Sequence, residues 1–358
     1  KDAWMPKEGE RLPQDQIDLI RRWIEEGAKY DAEDPKATLS SIVPRKYAPA
    51  PEAYPATLPI TALAFSADGK ELAAAGYNEI TVWNPADGQL LRRISGVAQR
   101  TYGLAYSPDG KLLAVASGTP GQLGEVVLLE ASTGKLVKFL AAMNDVAFDV
   151  AFNPQGTKLA SAAADRSIRV FDVATGAQEL LIEDHADWVL GVAFSPDGKL
   201  LASASRDKTS KVFNAENGES QATFNGHGNT VYSVAFSPDG KQVLTAGHDR
   251  KVQVWNPADG KKIAEITGFG GEVHKVAVVD GQVYACSADK SARQFTAADR
   301  KAVRTYGGHG DFVYALAVHP ASKLLATGTF DGEVRIWNTA DGKQLVSFFA
   351  APGYKPAK

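Results

Sequence analysis

Short alternations of apolar and polar residues recur along most of the chain, separated by glycine-containing turns. Segments such as Val189 to Ser195 and Val231 to Ser237 alternate with a period of two, which is typical of half-buried β-strands. Several run into a Ser-Pro-Asp-Gly turn, where proline presets φ and glycine follows without strain. After the turn come a small-residue strand, a polar turn containing aspartate and a third strand. A further glycine turn leads to a fourth strand, so the pattern predicts a four-stranded unit.

This unit recurs seven times. Its third strands end in large apolar residues spaced 40 to 46 residues apart: Trp83, Leu129, Phe171, Phe213, Trp255, Phe295 and Trp337. A fixed period of this length is typical of radial repeats, in which each unit is one blade. We therefore predict an all-β, seven-bladed β-propeller over residues 58–350. We expect its strands to close the ring in plain chain order, and the β-prone stretch Thr38 to Val43 is the alternative source of an edge strand.

The repeat resembles the WD-repeat family over residues 58–349. Gly-His occurs at Gly226-His227 and Gly308-His309, while Trp-Asn replaces the family's Trp-Asp. The resemblance implies a WD40-type propeller with a structural relay inside the blades: the turn Asp bonds His, His bonds Ser or Thr, and the Trp indole ends the chain. The implied relay residues are His227, Thr245, Asp249 and Trp255 in blade five, and His309, Thr327, Asp331 and Trp337 in blade seven.

Aromatic and cationic residues fall at corresponding positions, near the starts of the inner strands and before the blade aspartates. Tyr, Trp and Arg are the residue types that most often dominate protein interfaces. We predict a partner-binding face formed by Tyr77, Arg100, Tyr102, Phe148, Trp188, Leu190, Arg206, Tyr232, His248, His274, Phe312, Tyr314 and Phe330. The alternative is that Phe148, Leu190 and some tyrosines only plug the channel.

The recurrence of His, Thr and Asp in one register favours a framework role over a unique active site. We therefore predict no catalytic residues and no enzymatic activity. His248 and His274 lie on adjacent blades, but two histidines fall short of the three or four protein ligands of a usual zinc site. No metal site is predicted.

Composition narrows the functional classes further. Residues 58–358 carry 30 basic and 31 acidic residues without a basic stripe, which argues against nucleic-acid binding. The single cysteine, Cys286, excludes an internal disulfide framework, and no apolar run is long enough for a membrane span. The leading hypothesis is a non-enzymatic scaffold that binds protein partners through one face of the propeller.

Residues 1–57 do not follow the repeat. Gln14 to Glu26 places four apolar residues on one stripe, Ile17, Ile20, Trp23 and Ile24. The stripe predicts an amphipathic helix within residues 1–30 whose apolar face docks on the ring or on a partner. Six prolines between Asp31 and Pro59 mark residues 31–57 as a linker, and residues 351–358 are expected to form a C-terminal tail.

The run from Met5 to Gly27 resembles the C-terminal end of the planctomycete-type c-type cytochromes, which are often fused to WD repeats. The resemblance implies that Met5 is an axial haem ligand and that the Cys-x-x-Cys-His half lies upstream, because the motif does not occur here. This chain would then hold no cofactor by itself, with haem c in the upstream domain. The alternative function is an electron-transfer protein in which the propeller positions that cytochrome. It implies a periplasmic location, whereas a propeller without a cytochrome is expected in the cytoplasm.

Overall fold

The computed structural model describes residues 14–25 and 47–354. The chain divides into two units, Lys1–Arg45 and Lys46–Lys358. In the first unit, helix α1 spans Gln14–Glu25, which confirms the predicted helix, and its Ile20 and Ile24 side chains are exposed. The docking of its apolar face stays a prediction. Met5 and the stretch Thr38 to Val43 lie outside the described residues.

Blades one and two of the second unit share a seven-stranded sheet. Its strands are β1 Leu63–Phe65, β2 Leu72–Ala75, β3 Tyr77–Trp83, β4 Leu90–Tyr106, β5 Leu112–Thr119, β6 Leu123–Glu130 and β7 Leu136–Met143. Strand β4 joins the two blades, because its first half pairs with β3 and its second half pairs with β5. The outer strand of blade one thus continues directly as the inner strand of blade two.

Blades three to seven are separate four-stranded antiparallel sheets. Blades three and four contain β8 Ala147–Phe152, β9 Lys158–Ala163, β10 Ile168–Asp172, β11 Gln178–Ile182, β12 Val189–Phe194, β13 Leu200–Ser205, β14 Ser210–Asn214 and β15 Ser220–Phe224. Blades five and six contain β16 Val231–Phe236, β17 Val243–Gly247, β18 Val252–Trp255, β19 Lys262–Ile266, β20 Val273–Val279, β21 Gln282–Ser287, β22 Ser291–Thr296 and β23 Ala302–Tyr306. Blade seven contains β24 Val313–His319, β25 Leu324–Thr329, β26 Glu333–Asn338 and β27 Gln344–Phe349.

The inner strands form a closed ring. Each contacts the inner strand of the next blade, and β24 of blade seven contacts β1 of blade one. Within the described residues, β27 pairs only with β26, so the ring closes in plain chain order. The backbone N–H of Ile60 donates to the Thr329 carbonyl at 3.0 Å, and that of Tyr54 donates to the Pro352 carbonyl at 2.9 Å. The prediction of an all-β, seven-bladed propeller is confirmed over residues 47–354.

The hydrophobic core lies between the blades rather than at the centre of the ring. Seven buried clusters each combine residues of two adjacent blades, including one that joins blade seven to blade one. The large residues that end the third strands are all buried, and all of them except Phe171 belong to these clusters. Trp255, for example, stacks on Phe224 of the preceding blade with a centroid distance of 5.3 Å. A blade can bury its apolar faces only against its neighbours, so ring closure is required for a complete core.

Candidate protein-interaction face

A β-bulge lies near the start of the inner strand in each of blades two to seven. It leaves one residue per strand without a cross-strand partner: Tyr102, Phe148, Leu190, Tyr232, His274 and Tyr314. A bulge bends the strand locally and re-aims the extra side chain. We call these six residues, together with Thr61 of blade one, the mouth ring.

The mouth ring lines a cavity of about 430 Å³. Trp188, Arg206, Thr230 and Lys275 complete its wall. The structure thus brings together eight of the residues predicted for the partner-binding face: Tyr102, Phe148, Trp188, Leu190, Arg206, Tyr232, His274 and Tyr314. The cavity falls within the size range of ordinary binding sites, at about 300–1,000 Å³.

The aromatic side chains form two arcs around this cavity. In the first arc, Phe148 lies between Tyr102 and Trp188, with both centroid distances 5.5 Å. In the second arc, His274 lies between Tyr232 at 5.2 Å and Tyr314 at 4.2 Å, the latter nearly parallel. These contacts hold each aromatic side chain against its neighbours and give the cavity a preformed shape.

The other five predicted residues lie beside the cavity rather than in its wall. His248 and Phe312 line an adjacent hollow of about 480 Å³, which shares His274 and Tyr314 with the cavity. Phe330 contacts the Tyr314 ring at 5.8 Å. The positive charge of Arg100 lies close to Tyr102, and the Tyr77 hydroxyl accepts a hydrogen bond from the Gln99 side-chain amide. Tyr77 and Arg100 are therefore not part of the cavity wall.

An ion pair spans the channel beside the mouth. The Lys275 ammonium of blade six lies 3.3 Å from the Asp149 carboxylate of blade three, which also accepts the Val192 backbone N–H. Sequence reasoning missed both residues. The signal was present, because each follows the bulge residue of its inner strand, and they place opposite charges at one register position three blades apart.

Most of the mouth carries no charge near neutral pH. Burial raises the pKa of Tyr102, Tyr232 and Tyr314, and for Tyr232 a hydrogen bond to the Glu272 carboxylate raises it further. Burial lowers the pKa of His274 to about 4, so its imidazole is neutral.

His248 and His274 do not converge on a common centre. His248 pairs with Glu272 at 2.9 Å, whereas His274 stacks on Tyr314. Among residues 14–25 and 47–354, the structure contains no group of three or more side chains placed to hold a metal ion.

The relay implied for blade five is formed in part. His227 Nδ1 lies 2.9 Å from Asp249 Oδ2, and its Nε2 lies 2.7 Å from Thr245 Oγ1. The expected link to Trp255 is wrong, because its buried Nε1 has no hydrogen-bond partner among the described residues and its indole stacks on Phe224.

Blade seven differs from the implied relay at its aspartate. His309 Nε2 lies 3.0 Å from Thr327 Oγ1, which also accepts the Trp337 indole N–H at 2.9 Å. However, His309 Nδ1 donates to the Lys290 carbonyl, and the expected bond to Asp331 is wrong. The Thr329 hydroxyl donates to Asp331 instead, at a position where blade five has a glycine.

Blades one and two use buried glutamates where sequence reasoning identified no polar residue. Glu79 is 1% exposed and forms a bidentate ion pair with Arg93 at 2.6 and 2.9 Å. The Tyr54 hydroxyl donates to the same carboxylate at 2.7 Å. Glu125 is fully buried and accepts hydrogen bonds from the Tyr47 hydroxyl and the Ala98 backbone N–H. The described part of the predicted linker is thus bonded to the blades.

The segments of the chain that match known proteins coincide with the repeating strand pattern of the blades. Four segments match the family model described as WD domain, G-beta repeat: residues 134–172, 177–214, 218–256 and 300–338. Each runs from the outer strand of one blade through the first three strands of the next. These four segments are similar to WD40 repeats. With the seven blades described above, the fold of the chain is a WD40-type β-propeller.

Several WD-repeat proteins are similar to parts of the chain. An uncharacterized WD repeat-containing protein of Synechocystis is 32% identical over 28% of this chain and 28% of its own length. The meiotic recombination protein rec14 of Schizosaccharomyces pombe is 32% identical over 32% of this chain and 36% of its own length. WD repeat-containing protein SL1-17 of Schistosoma mansoni is 36% identical over the same shares. The matched region spans about a third of the length of these curated relatives.

A helix crosses a membrane only when it is long and apolar enough to span the hydrocarbon layer. In the part of the chain that the structure describes, no helix has the length and apolar character needed to cross a membrane.

Proposed function

We propose that this WD40 propeller is a non-enzymatic scaffold that binds a protein partner through the face surrounding the mouth ring. WD40 repeats generally mediate protein interactions, and the matched family and relatives support that general role. The observation that supports this particular face is the preformed cavity walled by tyrosine, phenylalanine and tryptophan rings. Such rings supply large contact areas at a low entropic cost.

The exposure of the rim supports the same proposal. Trp188 in the cavity wall is 37% exposed, and Phe312 and Phe330 beside it are 42% and 47% exposed, so all three offer apolar area to a partner. They lie around one opening, on blade four and blade seven. Clustered apolar surface of this kind is typical of interaction sites.

Affinity capture with variants tests the proposal. The whole chain, its Trp188→Ala and Tyr314→Ala variants, and Leu181→Ala as a control would each be used to capture proteins from the source organism. Leu181 is 48% exposed on outer strand β11, away from the mouth. We expect the two mouth variants to lose partners that the wild type and the control retain. Capture of the same partners by all four proteins would contradict the assignment to this face.

The electron-transfer hypothesis depends on Met5 and on sequence upstream of this chain. It stays a prediction of the cytochrome resemblance, and it is tested by the visible absorption of a longer protein matured in a host that attaches c-type haem. His/Met axial ligation should give a low-spin haem spectrum, and Met5→Ala should lower the reduction potential. A colourless protein would contradict it.

A further inference from the structure

The two charged side chains in the wall of the mouth cavity are cationic, and each has a carboxylate partner outside the wall: Arg206 lies 3.4 Å from Asp187, and Lys275 lies 3.3 Å from Asp149. Of the described residues that line the cavity, His274 is neutral and none is a carboxylate. Because the cations line the cavity and their carboxylate partners do not, the wall favours an anionic group over a cationic one.

Lys275 has capacity to bind another acceptor. Both of its distances to the Asp149 carboxylate, 3.3 and 3.4 Å, exceed the ~2.7–2.9 Å of a close charge-assisted hydrogen bond. Its side chain is 40% exposed, and an ammonium has three donors. A carboxylate in the cavity would therefore find a donor in the Lys275 ammonium that the protein itself uses only weakly.

A cationic ligand is a poorer fit to the same walls. Aromatic cavities can bind cations through the ring faces, and tryptophan is the most effective ring for this. Here the Arg206 guanidinium already lies over the Trp188 ring, 4.5 Å from its centroid. A second cation would meet both Arg206 and Lys275.

The surroundings of the mouth contain charges of both signs. Nearby carboxylates already accept hydrogen bonds from the chain: Asp145 from two backbone N–H groups, Asp187 from the Trp188 N–H, Asp311 from the Phe312 N–H and Glu272 from Tyr232. The turns after four blade aspartates present exposed basic residues with φ between 63° and 73°: Arg166, Lys208, Arg250 and Lys290. The first three form no ion pair with any described residue.

We propose that the mouth binds an acidic side chain, Asp or Glu, carried by an extended internal segment of the protein partner, with its carboxylate bound at Lys275. This inference rests on the proposed function and names the chemistry of its site. An internal segment fits better than a chain end, because exposed rim aromatics lie on opposite sides of the mouth, Trp188 on blade four and Phe312 on blade seven. Residues flanking the acidic one can pack on both sides.

A peptide selection tests the proposal. A random dodecapeptide phage library that presents internal segments is selected on the immobilised whole chain, and a library with free peptide C-termini is selected in parallel. Selected peptides are sorted by whether Trp188→Ala weakens their binding, which identifies those that bind the mouth. We expect these mouth-binding peptides to be enriched in Asp or Glu at one central position in the internal library.

Variants of Lys275 test whether this residue binds the acidic side chain of the selected peptides. Changing the central Glu to Gln should weaken binding to the wild type about tenfold or more, the effect expected for a lost charge-assisted hydrogen bond. On the double variant Lys275→Met/Asp149→Asn, the same Glu-to-Gln change in the peptide should weaken binding by less than about twofold. The double variant removes both charges of the ion pair, so neither is left unpaired. Lys275→Arg should keep the acidic preference.

The possible failures are distinct. Mouth-binding peptides without an acidic preference would overturn this inference and leave the proposed function standing. A preference confined to free C-termini would replace the internal side chain by a terminal carboxylate and also overturn it. A selection that yields no peptide sensitive to Trp188→Ala would count against the mouth as a peptide-binding site and therefore against both proposals.

Discussion

The blade interiors and the mouth both carry recurring polar and aromatic residues, but their surroundings differ. Inside blade five, His227 is enclosed and both ring nitrogens have side-chain partners. In the mouth, His274 packs between tyrosines, and its Nε2 has no hydrogen-bond partner among the described residues. Repetition alone therefore does not separate framework from site. His227 is enclosed within its blade and stabilises the fold, whereas His274 lines an open cavity where a partner can contact its ring.

The largest expected effect is the loss of stability on removing Arg93. Arg93→Ala would leave the buried Glu79 carboxylate without its cation, which typically costs about 3–5 kcal/mol. Denaturant unfolding measures this loss. Lys343→Ala, which breaks an exposed ion pair with Asp341, should change stability by less than about 1 kcal/mol. Equal losses in both variants would contradict the structural role of the buried pair.

Replacing a residue of the mouth cavity should weaken partner binding and leave the stability of the fold unchanged. Trp188→Ala should weaken partner binding by about 1–4 kcal/mol, because a central aromatic anchor is removed from a desolvated site. The unfolding midpoint should hardly change, because the side chain is half-exposed in the free protein. Titration calorimetry and denaturant unfolding of the same preparation measure the two quantities. A variant that unfolds but binds normally would reverse the comparison.

Asp249 of blade five and Asp331 of blade seven should contribute differently to the stability of the fold. Asp249→Ala should destabilise the fold by about 1–3 kcal/mol, since it removes the partner of His227 Nδ1. Asp331→Ala should cost less than about 1 kcal/mol, because His309 Nδ1 bonds the Lys290 carbonyl instead. Thermal unfolding of both variants checks the difference, and an equal loss would show that Asp331 supports His309 after all.

His309 should make stability depend on pH. Burial, aided by the charge of Arg335, lowers its pKa from 6.5 in the unfolded chain to about 4 in the fold. The unfolded state therefore binds more protons between these values, and stability should fall as pH drops from 6.5 to 4, by about 2–3 kcal/mol from this group. His309→Gln should flatten the denaturation profile in this window. An unchanged slope would exclude the buried neutral histidine as its source.

The repeat made most of the fold predictable. The glycine turns, the aspartate turns and the large residues at the ends of the third strands indicated seven blades, and the register placed Tyr102, Tyr232 and Tyr314 together. These features depend on local pattern and on nearest-neighbour packing, which recur in every unit. The approximate position of the mouth followed from the same register.

The contacts that break the repeat were not predictable in the same way. The bond from His309 to the Lys290 carbonyl depends on the backbone of a turn in the preceding blade. The bonds from Tyr47 and Tyr54 to buried glutamates come from a segment outside the repeat, whose course no periodic pattern specifies. The Lys275 to Asp149 pair joins residues 126 positions apart and requires the closed ring.

The most direct test of this division is a comparison of Asp249→Ala with Trp188→Ala in one binding titration against one captured partner, below the unfolding temperature of both. Asp249→Ala should keep the wild-type dissociation constant although its melting temperature falls by several degrees, at ~2–4 °C per kcal/mol or less for a chain of this size. Trp188→Ala should lose about tenfold or more in affinity at an unchanged melting temperature. Loss of binding in Asp249→Ala with full binding in Trp188→Ala would contradict the account.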